Sequence, residues 1–175
     1  MGGLAVPIPY NWAVGDIGNM ALLDAQIRDP MTFFLNVPIF STAQTAVQSI
    51  ATGSLITLTW PAPPIDTYGG WAAGAPTKYT PQVPGYYEID AVYQAAANAT
   101  GDRLALIQKN GTTIAQVSGP AATASDSTGV PVRAPLVACN GTTDFIEIVA
   151  VQRSGVALNT VVALTQFSAK WVHAL

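Results

Sequence analysis

The chain has 175 residues, of which 50% are hydrophobic and only 10% are Asp, Glu, Lys or Arg, and its net charge is −3. This composition is too apolar for a disordered tail, and its seven bases do not supply the basic stripe by which nucleic-acid binders neutralise phosphates. Polar residues or prolines interrupt every apolar run, which excludes membrane insertion, and one Cys with one His excludes an ordinary zinc site, so we expect no cofactor.

The first predicted element is a helix within residues 1–40. Met20, Leu23 and Ile27 follow one another at steps of three and four, which is the period of one helix face. Asn19 precedes them and can accept hydrogen bonds from the free N–H groups of the first turn. We therefore predict that residues 1–40 form an attachment segment with one or two short helices.

A second short helix is predicted over residues 31–35. Pro30 lacks a backbone N–H and is expected to end the first helix, and Asp29 followed by Pro30 is typical of a new helix start. This piece carries Phe33 and Phe34. Such a small unit cannot bury its own apolar side chains, so it must dock on the main domain, on a copy of itself or on a partner.

Residues 41–54 are predicted to be an extended linker. They are rich in Ser, Thr, Ala and Gln, and no charged residue occurs between Asp29 and Asp66. A solvated flexible linker usually carries charge or runs of Gly. We therefore expect this segment to lie along a protein surface.

From residue 55 onward the apolar residues alternate with a period of two, which is typical of strands. Asn110-Gly111 and Asn140-Gly141 lie between apolar runs, and Asn-Gly is a strong hairpin signal. The region 55–175 is therefore predicted to be a mainly β domain, a sandwich or jelly roll of about 8–10 antiparallel strands. Its strand candidates are residues 55–60, 78–81, 86–96, 103–109, 112–117, 130–139, 144–153 and 161–172.

The strand predicted at 144–153 is apolar on both faces. One face carries Phe145, Val149 and Val151, and the opposite face is also apolar. In a two-sheet sandwich one strand face meets the core and the other meets solvent. We therefore predict that Phe145, Val149 and Val151 form a subunit interface.

Few residues are suited to catalysis. His173 is the only histidine and lies near the end of the sequence, and Cys139 has no basic neighbour that would activate its thiol. Glu88 and Asp90 share a strand face about 7 Å apart, a separation that inverting glycosidases use. Alternating acids on a solvated strand face are far commoner, so we predict that the chain is not an enzyme.

Two aromatic residues are candidates for binding a partner. Tyr68 and Trp71 lie in the Gly-rich loop 66–71, where exposed aromatic rings could contact sugar rings or protein surfaces. Equally, they could close one end of the sandwich or a subunit seam. The loop 121–129, rich in Ser, Thr and Ala, is a second candidate surface.

Several stretches of the predicted β domain resemble the complement globular-head and tumour-necrosis-factor jelly roll. They are Thr80-Pro81-Gln82-Val83-Pro84-Gly85-Tyr86-Tyr87, Arg103-Leu104-Ala105-Leu106-Ile107-Gln108-Lys109-Asn110-Gly111, residues 136–151 and Phe167-Ser168-Ala169-Lys170-Trp171-Val172. The resemblance covers roughly residues 55–175. It implies a ten-strand jelly roll and a compact homotrimer.

The N-terminal part resembles the opening of virion proteins of tailed phages, of the minor tail and tail-fibre type. The similar stretches are Asn11-Trp12-Ala13-Val14-Gly15-Asp16, Leu23-Asp24-Ala25-Gln26-Ile27-Arg28-Asp29-Pro30 and Phe34-Leu35-Asn36-Val37-Pro38. Asp24 stands where that family more often has Asn. The resemblance implies an N-terminal element that attaches the chain to a phage particle.

Together these observations predict a virion structural protein, a homotrimeric jelly roll attached at the tail tip and able to contact a glycan or protein of the host surface. Other virion proteins would be its partners. The alternatives are a capsid decoration or head-fibre protein, a virion-associated glycan-degrading enzyme, and a free bacterial binding protein of the globular-head type. Attachment or trimer packing is assigned to Trp12, Leu23, Ile27, Phe33 and Phe34.

Overall fold

The computed structural model describes residues 6–8 and 10–175. Residues 1–5 and residue 9 of the predicted attachment segment lie outside the described residues. Within the described part of the chain, a short helical segment precedes a sandwich of two antiparallel β-sheets. The mainly β sandwich predicted from the sequence is confirmed.

The helical segment is continuous across Pro30. It consists of helix α1 (Met20–Leu23), a π-helical turn (Asp24–Arg28) and helix α2 (Asp29–Leu35). Asn19 caps α1 as predicted, since its side chain accepts a hydrogen bond from the Leu22 N–H at 2.9 Å.

Helix α2 begins at Asp29 with Pro30 in its first turn, as predicted, but a π turn connects it to α1 where an interruption was expected. In the π turn the Asp29 N–H donates to the carbonyl of Asp24, five residues back, so the helix is one residue wider immediately before Pro30. A proline ring inside a regular α-helix clashes with the preceding turn, and the wider turn relieves that clash.

Eleven strands form in the described residues, and all of their pairings within the sheets are antiparallel. One sheet has the order β4-β1-β11-β5-β8, the other has the order β3-β9-β6-β7, and β10 pairs with β2. The strands are β1 (Ile39–Ala43), β2 (Ser49–Ile50), β3 (Ile56–Thr57), β4 (Ile65–Asp66), β5 (Gly85–Ala95), β6 (Asp102–Lys109), β7 (Thr112–Pro120), β8 (Thr128–Cys139), β9 (Ile146–Gln152), β10 (Leu158–Asn159) and β11 (Gln166–His173).

The segment predicted as a linker at 41–54 contributes strands to this sandwich. Strand β1 begins at Ile39 and pairs along its whole length with β11, and β2 follows at Ser49–Ile50. Phe40 and Thr42 share the buried face of β1. The predicted strand at 78–81 is reduced to isolated bridges of Tyr79.

An aromatic cluster fills the centre of the sandwich. The Phe40 ring stacks on Tyr79 with centroids 4.4 Å apart and meets the edge of Phe167 at 4.9 Å. Trp60 lies 5.6 Å from Phe167, and all four rings are almost fully buried. Phe40 and Phe167 belong to β1 and β11 of one sheet, and Trp60 and Tyr79 lie between strands. Tyr79 also forms a bridge to Ile146 of β9, so this cluster links the two layers.

The helical segment docks at one end of the sandwich through Phe33. Its ring meets Trp171 of β11 edge to face, with centroids 5.1 Å apart, and Val6 and Val37 pack beside it. We name this the proximal end; it also carries the loops 66–71 and 140–145. Strand β1 runs away from the proximal end, and β11, β5 and β8 alternate in direction beside it. The opposite end, which we name the distal end, therefore carries the loops 44–48, 96–101, 121–127, 153–157 and 161–165.

Candidate functional site

The five predicted attachment residues divide into one buried and four exposed side chains. Phe33 is 7% exposed because it docks on the sandwich, whereas its neighbour Phe34 is 71% exposed. Trp12, Leu23 and Ile27 are also exposed, each by 40% or more. Phe33 thus holds the segment in place, and the other four are available to a partner.

Large apolar side chains are exposed along the helix at steps of three and four residues, and we name this set the apolar stripe; Leu35, which is 86% exposed, lies next to its end. The stripe runs from α1 through the π turn to α2 and consists of Met20, Leu23, Ile27, Met31 and Phe34. Beside it, the Arg28 guanidinium lies 3.0 Å from the Asp24 carboxylate and 2.9 Å from that of Asp29. One guanidinium and two carboxylates leave this border of the stripe with a net charge of −1.

The residues before the helix fold back against it. The Tyr10 N–H donates to Gln26 Oε1 at 2.6 Å, and the Ala13 N–H donates to the Asp16 carboxylate at 2.7 Å. The rings of Tyr10 and Trp12 meet edge to face at 5.2 Å. Trp12 therefore belongs to the same exposed apolar region as the stripe.

The predicted subunit interface on β9 is wrong for two of its three residues. Val149 and Val151 are only 2% and 4% exposed in the single chain, where they cluster with Leu104 and Leu106 of β6. Side chains already covered by their own chain have no surface left for a second subunit. Phe145 is partly exposed and lies under the Lys78 ammonium, 3.8 Å from the ring centroid.

Glu88 and Asp90 do share the outer face of β5, as predicted, but a cation from β8 bridges them. Arg133 forms an ion pair with Glu88, and its Nε lies 3.4 Å from Asp90 Oδ1. In an inverting glycosidase a water molecule and the sugar occupy the space between the two carboxyl groups. Here the guanidinium contacts both of them, an arrangement that suits an ion-pair network on a strand face.

The loop that carries Tyr68 and Trp71 is folded onto the sandwich. The Asp66 carboxylate accepts hydrogen bonds from the N–H groups of Gly70 at 3.0 Å and Trp71 at 2.9 Å, which closes the loop. Both aromatic rings pack against the core, and burial raises the pKa of Tyr68. The two rings therefore close the proximal end of the sandwich and are partly exposed there, and their role in host binding stays a prediction.

One exposed apolar surface was not predicted from the sequence, and it lies where the edge strands β7 and β8 of the two sheets approach each other. Strand β7 is the edge of its sheet, it contains no charged residue, and Ile114 and Val117 are exposed on it. On β8, at the edge of the other sheet, Leu136 is 63% exposed. We name Ile114, Val117 and Leu136 the edge seam. The only sequence signal for it is the uncharged run from residue 110 to 125.

The two residues considered for catalysis lie apart and differ in burial. Burial raises the pKa of Cys139 to about 12, so its thiol stays protonated at neutral pH. His173 ends β11 and is exposed. Among residues 6–8 and 10–175, no three His, Cys, Asp or Glu side chains come together as a metal-binding group. In the same residues, no helix has the length and hydropathy needed to cross a membrane.

Solved structures with the same arrangement of strands are tumour-necrosis-factor-family proteins. Murine APRIL at pH 5.0 aligns with 77% of this chain and 98% of its own, with a TM-score of 0.57 and 10% sequence identity. Eiger TNF from S. frugiperda aligns with 79% of this chain and 95% of its own, with a TM-score of 0.51 and 7% identity. No protein-family model matches the chain, and no curated protein sequence does. The fold is therefore a tumour-necrosis-factor-like jelly roll.

Proposed function

We propose that the chain is a non-enzymatic structural protein of a tailed-phage virion, a homotrimeric jelly roll attached at the tail tip through residues 1–40. Its distal end would be turned towards the host envelope. The observation that carries this proposal is the apolar stripe of the helical segment, which the chain leaves uncovered. The phage assignment is supported by the resemblance of residues 11–38 to virion proteins.

The apolar stripe is suited to attachment because it is continuous and lies apart from the core. Monomeric proteins rarely expose large continuous apolar patches, and those that they do expose are commonly interaction sites. Phe33 fixes the helix on the sandwich and leaves Ile27 and Phe34 facing outward. A virion protein with a complementary apolar groove would remove this surface from water.

The edge seam is the surface that we assign to trimer formation. An exposed, uncharged edge strand is prone to associate with another chain unless charge, proline or a bulge protects it. Strand β8 carries Pro131, Arg133 and Pro135, whereas β7 has one bulge, at Ile114, and a proline only at its last residue, Pro120, so the part of β7 between them is unprotected. Packing of the seam against a neighbouring copy would cover Ile114, Val117 and Leu136.

The location on the particle can be tested by labelling. Gold-labelled antibody fragments raised against the sandwich would be imaged on purified virions of the phage that encodes the chain. We expect label at the tail tip. Label on the head would support the capsid decoration alternative, and particles without any label would overturn the virion assignment.

The attachment surface can be tested with a matched pair of substitutions. Phe34→Asp places a charge in the apolar stripe, and Val156→Asp places one at another exposed apolar residue, in the distal loop 153–157. We expect Phe34→Asp to abolish incorporation into particles and Val156→Asp to leave it unchanged. Equal incorporation of both variants would remove the stripe from the attachment mechanism.

The oligomeric state can be tested by light scattering at micromolar concentration. The wild-type chain should have about three times the 18.2 kDa mass of one chain. Leu136→Asp should shift it to monomer, and Val156→Asp should not. A monomeric wild-type protein would refute the trimer, whereas a trimeric Leu136→Asp variant would place the interface elsewhere.

A further inference from the structure

A second surface feature lies towards the distal end and is not part of the attachment or trimer surfaces. It is a cavity of about 380 Å³ between the loop 44–48 and the residues that follow β3. Its lining residues carry amide, hydroxyl or apolar side chains and no charge: Gln44, Thr45, Ala46, Val47, Gln48, Thr59, Trp60 and Pro61. A pocket of this size can hold one small cyclic ligand.

Two glutamine side chains in the lining are held in fixed orientations. Gln44 Nε2 donates to Gln48 Oε1 at 3.1 Å and to the Thr59 carbonyl at 3.2 Å. Gln48 Oε1 also accepts from the Thr59 N–H at 2.9 Å, and Gln48 Nε2 donates to the Thr57 carbonyl at 2.8 Å. Because both amide groups are used in this way, neither can rotate without losing hydrogen bonds.

This network leaves one acceptor and one donor of the lining residues unsatisfied. Gln44 Oε1 and Trp60 Nε1 have no hydrogen-bond partner among the described residues. The two residues are only 2% and 1% exposed. Buried polar atoms are nearly always hydrogen-bonded, and each exception calls for an explanation, such as a water molecule or ion that completes the site.

The chemistry of these two atoms indicates what would complete the site. A hydroxyl group can donate to Gln44 Oε1 and accept from Trp60 Nε1, whereas a carboxylate or an ammonium ion can do only one of the two. A charged ligand would also lose its hydration without meeting an opposite charge in the lining. The apolar surfaces of Trp60, Pro61 and Val47 suit the C–H faces of a sugar ring.

We propose that this cavity binds one uncharged sugar residue through a hydroxyl group held between Gln44 and Trp60. That the sugar belongs to a host envelope glycan rests on the proposed function, which turns the distal end towards the host. That a sugar binds here does not rest on it. The site also differs from the loop 66–71, which lies at the proximal end.

The test is a titration of the full-length ¹⁵N-labelled protein, with the Trp60 indole N–H as the reporter. The probes are D-glucose, D-galactose, N-acetyl-D-glucosamine and L-rhamnose, and D-glucuronic acid is the charged counterpart of glucose. We expect at least one neutral sugar to bind with millimolar affinity and to shift the Trp60 signal. Glucuronic acid should bind at least about tenfold more weakly than glucose if glucose binds.

A matched pair of variants locates the site. Ala46→Trp places a large side chain at the cavity, and Ala99→Trp makes the same change in the exposed loop 96–101. Both positions are exposed, so both variants should keep the wild-type melting temperature. Sugar affinity should fall at least about tenfold in Ala46→Trp and stay within about twofold in Ala99→Trp.

Absence of binding by all four neutral sugars would overturn the inference, and so would equal affinities of the two variants. These outcomes are independent of the labelling of virions. A chain found at the tail tip that binds no sugar would refute this site alone. A chain that binds sugar but occurs on no particle would refute the virion role and leave the site in place.

Discussion

The helical segment and the sandwich place their apolar side chains in opposite ways. In the sandwich, Phe40, Trp60 and Phe167 are at most 1% exposed. In the segment, Met20, Ile27 and Phe34 are about half exposed or more, and Phe33 is the large side chain that is buried. Apolar side chains therefore have two structural roles in this chain: they fill the core of the sandwich, and they form the exposed surface of the helical segment.

Only 10% of the residues are charged, so the sandwich uses other side chains to bind the polar backbone groups of its loops. Uncharged polar side chains form hydrogen bonds with these groups. Gln152, for example, is fully buried, donates to the carbonyls of Ile50 and Val156, and accepts from the Ser154 N–H. On the helical segment, the charged side chains of Asp24, Arg28 and Asp29 contact one another, and the apolar stripe beside them stays exposed as a surface that a partner can cover.

The largest contrast is expected between two phenylalanines. Phe167→Ala removes the ring that joins the central aromatic cluster and should lower the free energy of unfolding by about 3–5 kcal/mol. Phe34→Ala should lower it by less than about 0.5 kcal/mol, because its ring is mostly in solvent. Urea unfolding of the two variants measures both values. Similar losses would mean that the segment is part of the folded core.

The next contrast separates docking from folding. Phe33→Ala removes the contact with Trp171 that holds the helix on the sandwich. We expect the hydrogen-exchange protection of the backbone amides at 20–35 to fall at least about tenfold, which corresponds to a loss of ~1.4 kcal/mol or more of docking free energy. The protection of the amides in β5 and β6 should not change. Phe34→Ala serves as the control and should change neither. Loss of protection throughout the sandwich would contradict this separation.

The strand pattern was predictable where it depends on neighbours in the chain. Asn110 and Gly111 both have positive φ, 52° and 77°, and they close the β6–β7 hairpin as predicted. Asn140-Gly141 looks alike in sequence, but β8 and β9 do not pair, and this turn passes from one sheet to the other. Local turn chemistry cannot show which strands will become partners.

The surfaces were harder to predict because they depend on contacts between distant residues. The alternation in β9 indicated two buried faces, and on the second face Val149 and Val151 are buried within the chain, in a cluster with their cross-strand neighbours Leu106 and Leu104 of β6. An apolar cover from the same chain and one from another subunit give the same sequence pattern. The edge seam was missed for the same reason, since the order of strands in the sheets decides which strand is an edge.

A smaller, pH-dependent effect is expected at Asp144 in the proximal loop of the sandwich. Burial acts to raise the pKa of Asp144, but hydrogen bonds from Asn110 at 2.7 Å and Lys109 at 3.0 Å outweigh it and hold the pKa below its ordinary value. The ionised carboxylate therefore stabilises the fold above the unfolded-state pKa of about 3.9, and this contribution is lost as the pH falls through the lower folded-state pKa.

Asp144→Asn should remove part of this stabilisation, about 1–2 kcal/mol at pH 7, because the Lys109 ammonium loses its anionic partner. The difference from wild type should shrink as the pH falls below about 4, where the wild-type carboxylate becomes protonated. Urea unfolding between pH 2 and pH 7 measures it. A difference that stays constant across this range would exclude the ionised carboxylate as its source.

The smallest effect is expected for the ion pairs beside the apolar stripe. Asp24→Asn removes one of the two carboxylates that contact Arg28, but both partners are exposed and solvent screens their attraction. We expect the melting temperature to change by less than about 2 °C and incorporation into particles to stay at the wild-type level. Differential scanning calorimetry and a particle incorporation assay measure the two quantities. If Asp24→Asn reduced incorporation as strongly as Phe34→Asp, attachment would depend on charge as well as on apolar contact, and the contrast between the helical segment and the sandwich would need an electrostatic component.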